Sequence, residues 1–154
     1  FGRDVQEVFL AYLMGRSFVG MRVQDIMGWS RFLSGYGRDG DHPDRLYMKA
    51  IGEAAIPALH AAAICPGRFV SVRLRGMIPS WSEVVNTPGS INQLVNTVHG
   101  VLRFYDLPEL IEVAGPGKVI IEDPVDAMGR SAEAPQDRPP FPKFSEVHHF
   151  AAGR

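Results

Sequence analysis

The sequence predicts an α/β fold, a mainly parallel sheet flanked by helices. Three observations carry this. Short apolar runs at 45–51, 69–77 and 118–122 have the length and composition of strands. Helix-period segments separate them, and strand–helix alternation is the pattern of a parallel sheet with helical crossovers. The segment that follows the first run, 54–65, is rich in alanine, and small side chains let a helix pack closely on a sheet.

In chain order, 1–14 reads as a helix with Val5, Val8, Phe9, Tyr12 and Leu13 on one apolar stripe, closed by Gly15. A second helix is expected over 19–33, with Val23, Ile26, Met27, Ser30 and Leu33 sharing a face. The glycine-rich stretch 35–43 is a loop by composition. The first strand, 45–51, reads as buried and parallel. Pro57 falls in the first turn of the alanine-rich helix, where a missing N–H costs little, and Pro66-Gly67 ends it. In the second strand Arg73 and Arg75 share a face, so that face is either less buried or paired with acids. Ser80 and Glu83 have capping-box spacing before a short helix at 80–85. A helix is expected over 91–104 from Ile91, Leu94, Val95, Val98 and Leu102, and another over 107–113 with Pro108 at its start. Four prolines in 131–143 make that segment extended and irregular, and 144–152 reads as a closing helix.

The chain of 154 residues suits a single core rather than two ordinary domains. A hydrophobic share of 45% and a charged share of 21% are those of a soluble globular protein. A net charge of −1 argues against nucleic acid or an anionic membrane as the main partner. No apolar run approaches the ~20 residues of a membrane span. The single cysteine, Cys65, excludes an internal disulfide and a cysteine-held metal cluster, and it leaves the compartment open. No cofactor and no metal are expected. The chain begins at Phe1 rather than Met, which suits a trimmed form or a fragment of a longer protein. Three strands make a thin sheet with exposed edges, and edges are normally paired or covered. The rest of a longer parent chain, or a second copy, is therefore the expected partner.

The segment 46–63 has the layout of a nucleophile elbow: strand, small-residue turn, buried helix. Gly52 stands where that motif carries its serine, in the run Ala50-Ile51-Gly52-Glu53-Ala54. Two further stretches, Gly20-Met21-Arg22-Val23-Gln24-Asp25-Ile26 and Tyr105-Asp106-Leu107-Pro108-Glu109-Leu110 followed by Asp123-Pro124-Val125-Asp126-Ala127-Met128-Gly129, complete a set over about 15–130. The set resembles the C-terminal half of the α/β-hydrolases, in the acetyl xylan esterase-like and dienelactone hydrolase-like branch. The resemblance implies a partial three-layer architecture and, in an active member, hydrolysis of acyl esters of carbohydrates or small molecules.

On that resemblance Asp126 matches the position of the family's acid; as a structural residue it is a turn or cap. Glu53 is either a carboxylate nucleophile or base, or an acid favoured by the positive end of a helix. His148 and His149 are the histidines beyond Asp126 in chain order, where a catalytic His would lie, and they also read as surface residues. His60 reads as a core histidine, His99 as a helix residue and His42 as a loop residue, none with a metal-ligand partner at i+4. Trp29 and Trp81 read as packing residues, and Cys65 lacks an activating base. The dinucleotide and P-loop glycine patterns are missing. Gly52 favours a non-catalytic structural or interaction module of a larger esterase-like protein. The alternative is a carboxylic-ester hydrolase.

Overall fold

A computed structural model describes residues 5–36 and 45–131. Helix α1 spans Val5–Leu13 and α2 spans Phe18–Gly35. Strand β1 (Leu46–Ile51) runs through a 3-10 turn, Gly52–Ala54, into α3 (Ala55–Ile64). Strand β2 (Phe69–Arg75) is followed by α4 (Trp81–Asn86) and two 3-10 turns, Leu94–Asn96 and Val101–Arg103. Helix α5 (Leu107–Ala114) leads to β3 (Val119–Glu122).

The three strands form one parallel sheet in the order β1-β2-β3, so the protein has an α/β fold with α3 and α5 in the crossovers. Met48, Ala50, Val72, Leu74, Val119 and Ile121 are in register across the sheet and join the core. Helix α3 covers them. Nine of its residues, from Ala55 to Ala63, are buried, because α3 is enclosed by the sheet, α2 and α5. Alanine suits this place: a larger side chain on any face would push a neighbour away.

The strand β1 is half open rather than buried. Tyr47 is 48% and Ile51 60% exposed, and they alternate with the core-facing residues. At the end of the neighbouring strand β3 and just beyond it the acids expected for the two arginines are present. Arg73 Nη1 donates to Glu122 Oε1 at 2.6 Å and Arg75 Nε to Asp123 Oδ2 at 2.8 Å.

Several expected elements change. The helix expected over 91–104 is replaced by the two 3-10 turns. Asn92 and Gly100 both have positive φ, 52° and 70°, which breaks a right-handed helix at both places. The Trp81 indole N–H also takes the Asn96 carbonyl at 2.8 Å, which a continuous helix would use itself. His99 is therefore not helical, and its ring meets Tyr12 edge-on at 6.4 Å. Trp81 is buried as expected, but Trp29 is 65% exposed and meets the Phe32 ring edge-on at 5.7 Å. In α1 the buried residues are Val8 and Ala11, while Phe9 and Leu13 of the expected stripe face outward. Ser80 caps α4 by accepting from Ser82 N, but Glu83 does not reach back to complete a box. It accepts from Ala127 N instead, at 3.3 Å. The expected helix at 144–152 and most of the proline-rich segment lie outside the described residues.

Candidate functional site

At the carboxyl ends of the three strands the chain must turn out of the sheet. It does so through a left-handed residue each time: Gly52 at φ 60°, Gly76 at φ 67° and Asp123 at φ 45°. Glycine adopts this conformation without a Cβ clash, and aspartate tolerates it better than most residues. The loops that leave are then tied together. Gly76 N donates to Glu122 O at 3.0 Å, Val125 N to Met77 O at 3.1 Å, and Ile91 N to Ala127 O at 3.1 Å. A cleft of about 230 Å³ results, lined by Gly52, Glu53, Gly76, Asn92, Gln93 and Asn96 among others, with Ile56, Met77 and Ile78 as apolar wall. In open α/β sheets the crevice outside the strand carboxyl ends is the usual ligand position.

Gly52 sits at the tip of the β1–α3 turn. A Cβ built there meets nothing within 4 Å, so the position is open toward the cleft but carries no reactive atom. Glu53 follows in the 3-10 turn; its side chain is 54% exposed and lies 3.5 Å from Arg22 Nη2. The Arg22 Nη1 also reaches the Glu53 carbonyl at 3.4 Å, so α2 is fastened to the β1–α3 turn.

Comparison of the chain with protein-family models, with curated proteins and with solved structures returned no match.

Asp126 holds the loop after β3. Its Oδ1 accepts from Met128 N and Arg130 N, both at 2.9 Å, and its Oδ2 accepts from Arg130 Nε at 2.7 Å. The backbone N–H of Arg130, helped by its guanidinium and by Met128 N–H, holds the Asp126 carboxyl below its ordinary range against some desolvation. No described histidine meets it. Its effect on the cleft is indirect, through Met128 and Gly129 of the loop it clips.

His60 lies on α3 and does not line the cleft. Its Nδ1 is 2.8 Å from Ile56 O and its Nε2 is 3.3 Å from Tyr105 Oη. Its ring packs against Trp81 and Tyr105 at 5.6 and 6.0 Å between centroids. Burial depresses its pKa, the Ile56 carbonyl offsetting this in part, so the ring is kept neutral. His42, His148 and His149 lie outside the described residues. Among the described residues no group of three His, Cys, Asp or Glu could hold a metal ion.

Two features of this region are not singled out by sequence reasoning. Gln93 and Asn96 are buried, at 9% and 8% exposure, within a run whose apolar spacing reads as an ordinary helix. The signal was three amide residues, Asn92, Gln93 and Asn96, clustered in that run. Asp106 is the second. It accepts from Trp81 N at 2.7 Å, Ser82 N at 3.2 Å, Leu107 N at 2.6 Å and the hydroxyls of Ser80 and Ser82. It thereby caps α5 in a capping box with Glu109 and anchors the start of α4. The Asp-x-x-Glu spacing of Asp106 and Glu109 carried that signal.

Proposed function

We propose that this chain is a non-catalytic α/β-hydrolase-like module, a structural or interaction part of a larger esterase-like assembly. One observation carries the reading: the turn from β1 to α3 has elbow geometry, with φ 60° at its tip, and the tip residue is Gly52. A serine there would stand exposed on the strained turn, beside backbone N–H groups able to stabilise an oxyanion. Glycine keeps the geometry and lacks the nucleophile. The surroundings agree with this. His60 is enclosed away from the cleft, and Asp126 spends its oxygens on its own loop.

An interaction role suits the surface. Strands β1 and β3 each pair on one side only among the described residues, and Tyr47 and Ile51 stand open on one face of β1. Parallel sheets are normally covered on both faces. The rest of a longer chain or a second copy would supply that cover.

Hydrolysis of p-nitrophenyl acetate tests the reading, with the parent beside Gly52→Ser and Asp126→Ala. The parent and Gly52→Ser are expected to match the buffer rate. Turnover by the parent that Asp126→Ala abolishes would replace this reading with a carboxylic-ester hydrolase, in which Glu53 or another group stands in for serine.

A further inference from the structure

Helix α2 and its cap carry an aromatic stripe that the described residues leave uncovered. Trp29, Phe32 and Tyr36 fall on one side of the helix at i, i+3 and i+7, and each is more than half exposed. Their rings meet in series, Trp29 edge-on to Phe32 at 5.7 Å and Phe32 to Tyr36 at 5.2 Å between centroids. A trough of about 380 Å³ runs beside the first two rings and is lined also by Gln24, Asp25 and Gly28. Gly28 makes the notch. Inside an exposed helix glycine costs about 1 kcal/mol against alanine. A Cβ at this position would meet nothing within 4 Å, so the packing of the described residues does not call for it. Asp25 stands at one end of the trough, and among the described residues no cation pairs with it.

The size of the stripe suits a peptide segment. Three aromatic side chains at this exposure present roughly 400 Å², whereas a folded partner buries about 800 Å² on each side. Aromatic-lined grooves take proline-rich segments in the polyproline II form, and a lone acid beside one favours a basic flank. The chain contains such a segment. Arg138-Pro139-Pro140-Phe141-Pro142-Lys143 sets Pro139 and Pro142 at P-x-x-P spacing with a cation on either side. It lies beyond Ser131, the last of the described residues.

Reach and direction agree. Ser131 bridges Val125 at the strand carboxyl ends, where Arg22 of α2 meets Glu53. From there Trp29 is about 10 Å further along α2, whose own thickness is about 10 Å. Crossing from β3 to β1 is two strand spacings, about 10 Å. The steps from Ser131 to Pro139 cover about 25 Å at about 3.1 Å per residue. Helix α2 runs back from the strand carboxyl ends, since Arg68, just before β2, donates to Ser34 Oγ at 3.0 Å. A segment arriving from Ser131 thus passes Asp25 first, then Trp29, Phe32 and Tyr36. One polyproline turn separates Pro139 from Pro142 by about 9 Å, close to the rise of about 10 Å from Trp29 to Tyr36.

We propose that the chain's own segment 138–143 docks along α2, with Pro139 and Pro142 on the Trp29, Phe32 and Tyr36 rings and Arg138 at Asp25. The docking goes beyond the non-catalytic reading and does not depend on Gly52.

The test follows Trp29 in the full chain, by its indole N–H resonance and by acrylamide quenching. An effective concentration in the millimolar range leaves a weak contact about half formed, so releasing it is expected to raise Trp29 quenching about twofold. Pro139→Ser with Pro142→Ser is expected to do this, to move the Trp29 resonance and to raise ANS fluorescence. Asp25→Lys is expected to act likewise, and adding Arg138→Glu to it to restore the parent values. Trp81, buried and bonded to the Asn96 carbonyl, reports that each variant is folded by an unchanged resonance. Trp29 signals that are the same in the parent and the double proline variant overturn the proposal, and so does failure of the charge reversal to restore them. Quenching that changes on dilution from about 500 to about 5 μM marks a second copy as the occupant and also overturns it, because a contact within one chain is independent of concentration. None of these results depends on ester turnover.

Discussion

Asp106 shows at the residue scale how one carboxylate can organise two helices. It takes the first amides of α4 and α5 together, and both starts would otherwise leave donors unpaired. Burial alone would raise its pKa, but the hydrogen bonds from Ser80, Trp81, Leu107 and Ser82 outweigh that and hold it at about 2. Because the folded value lies below the ordinary 3.8, its stabilisation is fully present above pH 3.8 and is lost as pH falls toward 2. The carboxylate is partly exposed, so screening reduces this contribution to about 1 kcal/mol. Asp106→Ala, which also removes the caps, is expected to cost about 2 kcal/mol in urea unfolding at neutral pH and to flatten the acid limb. His60 acts in the same direction at higher pH. Its folded pKa is below the ordinary 6.5, so the unfolded chain takes up protons first and stability declines as pH falls below 6.5. His60→Phe is expected to remove that slope, read from melting temperatures across the range. At Gly52 the left-handed φ sets the cost of restoring a side chain. Gly52→Ser is expected to lose about 1–2 kcal/mol and keep the fold, because space for the Cβ exists.

At the scale of elements, α3 depends on smallness. Ala58 and Ala61 are 1% and 0% exposed, between the sheet and the neighbouring helices. Ala61→Leu is expected to destabilise the protein by about 1–3 kcal/mol through overpacking, measured by denaturant unfolding. The alanine run was legible in the sequence as a buried helix for this reason: alanine combines high helix propensity with close approach. The stretch 91–104 was not legible. Its apolar spacing is that of a helix, yet Gly100 at φ 70° and the capture of the Asn96 carbonyl by Trp81 divert the backbone. Periodicity records which residues are apolar. It does not record which carbonyl a distant indole will claim.

Across the whole molecule, the described residues make a sheet with a well-filled helical side and a more open side. Helices α1 and α2, with the Tyr36 that caps α2, add an apolar exterior in Phe9, Leu13, Trp29, Phe32 and Tyr36, all more than half exposed. No described helix is long and apolar enough to cross a membrane. A surface of this kind is expected to bind the dye ANS, and Trp29→Glu with Phe32→Glu is expected to reduce that fluorescence while changing stability by no more than about 0.5 kcal/mol. By itself the sequence determined the α/β class, the three strands, the alanine-rich crossover helix and the sharp turn before it that carries Gly52. These depend on neighbours within a few residues, where apolar period, helix enders and turn glycines act directly. Only the tertiary structure decided that His60 is enclosed by Trp81 and Tyr105, that Asp126 is engaged with Arg130, and that Asp106 serves two helices. It also decided that Asn96 is buried, with its carbonyl taken by the Trp81 indole. Most of these partners come from separate elements, and the pairing of a polar group is settled by what the fold packs beside it, which local spacing does not encode.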